Sequence, residues 1–125
     1  MSRALWVWGP AVFLMAVIFG LSAQPAAYLP SGLSDVSAHA IAYAALGILM
    51  LRALSSARWS GVTPRSMAIA VVLTVLYGIS DEYHQSFVTG RFADVRDVIA
   101  DAIGACGGVA IIWAWSIVFS SDQRT

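Results

Sequence analysis

Four long apolar stretches, at about 4–23, 36–54, 65–87 and 98–119, set the terms for this chain. Each is close to the roughly 20 residues that cross a bilayer core at 1.5 Å per residue. A backbone inside lipid must satisfy its own hydrogen bonds, which leaves helices as the way to use such stretches. The expected fold is therefore all-α: one polytopic membrane domain over residues 1–125, a bundle of four transmembrane helices. Composition agrees, with 11% charged and 59% hydrophobic residues, where soluble domains carry roughly 25% charged residues. A formal net charge of zero gives no reason to expect a nucleic-acid partner.

The first stretch, behind Arg3, is too long for a signal-peptide core of roughly 7–15 residues, so it is expected to be retained as a helix. Pro25, Pro30 and Gly32 punctuate the first connection, and Ser34 or Asp35 is suited to capping the second helix. Gly61 and Pro64 break the middle connection, with Pro64 fitting the first turn of the third helix. Cys106, the single cysteine, is expected to pack inside the fourth helix as a small residue.

Alternating spans place Arg3, Arg52, Arg58, Arg65 and Arg124 on one membrane side, and only Arg91 and Arg96 on the other. Arginine-rich short loops stay in the cytoplasm, so both termini are expected inside. Of the seven carboxylates, six (Asp35, Asp81, Glu82, Asp94, Asp97, Asp101) then collect at the outward ends with His39 and His84. A charge at bilayer depth costs about 2.5–3.5 kcal/mol on insertion scales, so such a collection points to a use.

Helical spacing says which of these groups can meet. Asp35, His39 and Tyr43 share a face at i, i+4, i+8; Asp94, Asp97 and Asp101 share one at i, i+3, i+7. Tyr77, Asp81 and His84 or Gln85 form a third stripe. His39 and Asp101 lie deepest, about one turn or 5 Å inside their spans. Ala100, Gly104 and Gly108 recur every four residues beside the acidic stripe, a spacing that lets helices approach closely.

Carboxylates and imidazole suit a divalent metal, and they are also the usual general acids and bases. His39 is the candidate ligand or base, and Asp81, Glu82, Asp97 and Asp101 the candidate ligands or acid–base groups. Arg91 is the candidate anion contact, with Gln85 and Tyr43 beside it for binding. The plainer readings are a solvated turn with a capping carboxylate at Asp94, Arg96 and Asp97, and an interfacial His84. A packing role reads equally well for Tyr43, Tyr77 and Tyr83, and a structural ion-pair network for Asp81, Glu82, Arg91 and Asp101. No serine or cysteine sits in an evident nucleophile setting.

The run Tyr77-Gly78-Ile79-Ser80-Asp81-Glu82-Tyr83-His84-Gln85-Ser86-Phe87-Val88-Thr89-Gly90-Arg91 resembles the signature of VanZ-like membrane proteins. Its continuation through Asp94, Asp97-Val98, Asp101 and Gly104 is similar too, as is Ser34-Asp35 with His39, Tyr43 and Gly47 upstream. Thr89 stands where a proline is common, and Val36 where a lysine is frequent. The resemblance implies a small bacterial inner-membrane protein whose namesake is associated with resistance to teicoplanin-type glycopeptides. Three functions fit: an enzyme on a lipid or lipid-linked envelope component, a non-catalytic binder of an amphiphile or antibiotic, and a structural accessory subunit.

Overall fold

The computed structural model describes residues 1–24 and 34–122; Pro25, Pro30, Gly32, Arg124 and the side chain of Asp35 lie outside the described residues. The described residues form four α-helices: α1 Arg3–Ser22, α2 Asp35–Leu54, α3 Pro64–Gln85 and α4 Val95–Asp122. A short 3-10 turn, Trp59–Gly61, precedes α3. All four α-helices are long and apolar enough to cross a membrane. The all-α expectation holds.

Helix ends differ from the hydropathy boundaries by up to three residues, and capping explains how. Ser34 accepts from the Ser37 N–H and opens α2. Thr63 and Ser66 form a reciprocal capping box around Pro64, which stands in the first turn of α3. Asp94 accepts from the Arg96 N–H, so α4 starts at Val95 rather than at Val98. That carboxyl is held below the usual carboxylate range by the Arg96 N–H and then by its guanidinium.

The bundle is held by a seam between α2 and α4. A Cβ added at Gly104 or Gly108 would collide with the carbonyl oxygens of Ala40 and Ala44 respectively. At Gly47 it would sit 3.1 Å from the Ala105 carbonyl oxygen. Small residues therefore face each other across both backbones, the packing expected for the Ala100–Gly104–Gly108 stripe. Cys106 is a correction. It is exposed on the outer surface of α4, because the packed face consists of Asp101, Gly104, Ala105, Gly108 and Val109.

Two arginines at the end away from the carboxylates, Arg3 and Arg52, make structural contacts. The Arg52 guanidinium lies 4.0 Å from the centre of the Trp6 ring and donates to the carbonyls of Trp6 and Val7. Arg3 donates to the Ser56 carbonyl. Both contacts tie α1 to the end of α2.

Candidate functional site

At the opposite end, the last turns of α1 and α3 meet the first turns of α2 and α4. Chain alternation brings His39, Asp81, Glu82, Gln85, Asp97 and Asp101 to one level, all of them buried. The helical period sets this up: His39 and Tyr43 are one turn apart on α2, Asp97 and Asp101 one turn apart on α4.

The centre is His39. Its Nδ1 lies 2.8 Å from Asp101 Oδ1, and Asp101 is fully buried. A carboxylate accepts from an N–H, which makes Nδ1 a protonated nitrogen and, in the neutral ring, puts the lone pair on Nε2. His39 Nε2 is 3.8 Å from both Glu82 Oε1 and Asp97 Oδ2. Glu82 is oriented by its other oxygen, which accepts from the Asp94 N–H at 3.0 Å. Tyr43 donates to Asp81 Oδ2 at 3.1 Å, and its ring is stacked near His39. Asp81 Oδ1 and Glu82 Oε1 are buried and find no hydrogen-bond partner among the described residues.

Beside the cluster is a cavity of about 150 Å³ lined by Ile18, Leu21, His39, Tyr43, Asp81 and Arg91, with Gln85 also on its wall. The site thus divides in two. The charged cluster lies among α2, α3 and α4, whereas the cavity is walled on its far side by α1. Sequence reasoning missed α1 because its end here carries no charge to draw attention, only Ile18, Leu21 and Ser22.

Several side chains go elsewhere. Arg91 lines the cavity but donates to the carbonyls of Leu21 and Gln24, at the end of α1, where the last turn leaves acceptors open. It therefore acts as a cap on α1 in addition to any role toward a ligand. Arg96 pairs with Asp94 at 3.1 Å, and both side chains stay out of the cluster, matching the plainer reading of a solvated turn there. Asp97, by contrast, turns inward. Of the alternatives at the end of α3, Gln85 is the buried one, while the His84 ring stacks on Phe19 of α1 at 4.4 Å. The Tyr77 hydroxyl donates to the Met15 carbonyl, a packing contact.

Two further residues shape the site without a functional group of their own. The Asp94 backbone N–H holds Glu82, and no charge pattern announces a main-chain donor. Gly78 gives room to Asp101, since a Cβ there would come within 2.7 Å of Asp101 Oδ2. Its signal was only the place it holds in the family signature.

Comparison with curated proteins and with solved structures returned no match. A family model described as VanZ/LLP1 matches residues 7–120, a range that takes in all the groups described above. With four apolar helices and a match over nearly its whole length, the chain is a membrane protein belonging to the VanZ/LLP1 family.

Proposed function

We propose that the cavity takes the polar head of an amphiphile from the surrounding bilayer and that the chain acts on a lipid or lipid-linked envelope component there. The observation that carries this reading is the lining itself. Ile18, Leu21, Ala38 and Ala42 offer apolar walls, while His39, Asp81, Gln85 and Arg91 supply donors and acceptors. Such a mixed surface suits a molecule with both characters. Asp81 Oδ1, buried and without a hydrogen-bond partner among the described residues, is an acceptor for a ligand hydroxyl or amine. His39 is the proposed ligand or base, with Asp101 fixing its tautomer; Asp81, Glu82 and Asp97 are the proposed acid–base or ligand groups. Arg91, Gln85 and Tyr43 are the proposed binding contacts.

Purified protein incubated with bacterial lipid extract should change at least one lipid species by mass spectrometry, and His39→Ala should stop the change while remaining folded. Saturable retention of an amphiphile with no altered species would replace this with the binding reading, the one nearest to antibiotic exclusion. Neither retention nor turnover, with His39→Ala only lowering thermal stability, would leave the cluster a packing device.

Orientation follows from charge. Arg3, Arg52, Arg58 and Arg65 lie at one end, and the proposed arrangement has that end and both termini in the cytoplasm of a bacterial inner membrane, with the cavity facing outward. A C-terminal fusion reporter active only in the cytoplasm should then be active. An active periplasmic reporter at that position would invert the assignment.

A further inference from the structure

We propose that His39 Nε2, Glu82 and Asp97 bind a divalent first-row transition metal, with Asp101 positioning the imidazole. One donor atom from each of the three lies within 4.8 Å of the other two, and all three residues are buried. The 3.8 Å separations from Nε2 to the two carboxylate oxygens exceed hydrogen-bond length. They approach the spacing of atoms sharing one ion: donors at 2.0–2.2 Å from a tetrahedral metal stand roughly 3.3–3.6 Å apart. Closing those two gaps takes roughly 0.2–0.5 Å each.

Three independent features point to a cation rather than to a chance grouping of acids. Glu82 is 5% exposed, and its Oε1 faces His39 Nε2 with no hydrogen-bond partner among the described residues. The Asp101–His39 bond is the carboxylate–histidine pairing that orients metal-binding imidazoles, presenting Nε2 to the ion. Charge gives the third feature. Glu82, Asp97 and Asp101 surround one imidazole in an apolar bundle, and Asp81 lies on the next face of α3. Of the two arginines at this end, Arg91 directs its donors to α1 carbonyls and Arg96 pairs with Asp94. A dication offsets that excess in a buried, low-dielectric setting. One nitrogen and two carboxylates make a mixed donor set, which suits zinc, manganese or iron(II) better than the all-oxygen shells of calcium and magnesium.

Cation uptake is read on purified protein with no lipid substrate present, so its outcome is separate from that of the amphiphile reading. Full-length protein in detergent, stripped with chelator and re-equilibrated with Mn2+ or Zn2+, should retain stoichiometric metal through gel filtration. Glu82→Gln should weaken affinity at least about a hundredfold. His84→Ala should keep the metal, and in the Mn2+-loaded form of that variant the electron-spin-echo spectrum should show one coordinated imidazole nitrogen, which only His39 can supply. This second measurement stands even if Glu82→Gln fails to fold. Absence of retained metal in the wild type, full retention by folded Glu82→Gln, or no nitrogen signal in Mn2+-loaded His84→Ala would each overturn the proposal. Retention of Mg2+ or Ca2+ but neither Mn2+ nor Zn2+ would overturn the assignment to a transition metal.

Discussion

Gly108→Val is expected to force α2 and α4 apart, while the same change at the adjacent Gly107 leaves the bundle intact. At Gly108 the new side chain meets the Ala44 backbone; at Gly107 nothing lies within 4 Å of an added Cβ. A backbone carbonyl cannot turn away as a flexible side chain can, so relief requires moving a whole helix. Overpacking in cores typically costs 1–3 kcal/mol, and about 3 kcal/mol is expected here because backbone is the obstacle. Gly107→Val should be neutral or slightly stabilising, since valine is the better helix former by a few tenths of a kcal/mol. Unfolding in detergent mixtures of rising SDS content, followed by circular dichroism, measures both. Equal midpoints for the two variants would mean that the seam does not hold the bundle. Gly104→Val should behave like Gly108→Val, with an added effect on the site, because Gly104 lies one turn below Asp101.

The second large effect is expected at Asp101. Replacing it with leucine removes the acceptor for His39 Nδ1 and frees the ring to rotate, and metal affinity should fall by about a hundredfold. Asp101→Asn keeps an acceptor oxygen but loses the charge, so about tenfold is expected. The order of the two is the informative part. A positioning role predicts leucine worse than asparagine, whereas a purely electrostatic role predicts the two alike. Metal titration by calorimetry, alongside a melting curve to show that each variant is folded, separates them.

Much of this architecture is legible in the sequence, and the reasons are physical. Span number and approximate ends follow from hydropathy and length, since few other structures satisfy so apolar a backbone in lipid. The polar stripes are legible because a helix repeats its faces at i+3 and i+4, which puts His39 with Tyr43 on one face of α2 and Asp97 with Asp101 on one face of α4. Which pairs touch is another matter. The His39–Asp101 contact depends on the rotation of α2 against α4, set by Gly104 and Gly108 lying on the Ala40 and Ala44 backbones. Arg91 was harder still: its side chain is long enough to reach either the carboxylates or the open carbonyls of α1, and it takes the carbonyls. Cys106 misled for the opposite reason. Its small neighbours Ala105 and Gly108 face the seam, yet position 106 is turned one residue further, out of the bundle. The cavity wall from α1 had no charged marker at all.

That outward-turned thiol has a practical use. Cys106 stands near the middle of α4, alone of its kind in the chain, and points where acyl chains would lie. A nitroxide or a fluorophore attached there would report immersion depth by collisional quenching, with no engineered substitution. The molecule thus brings its own ruler for measuring how deeply it sits among the lipids.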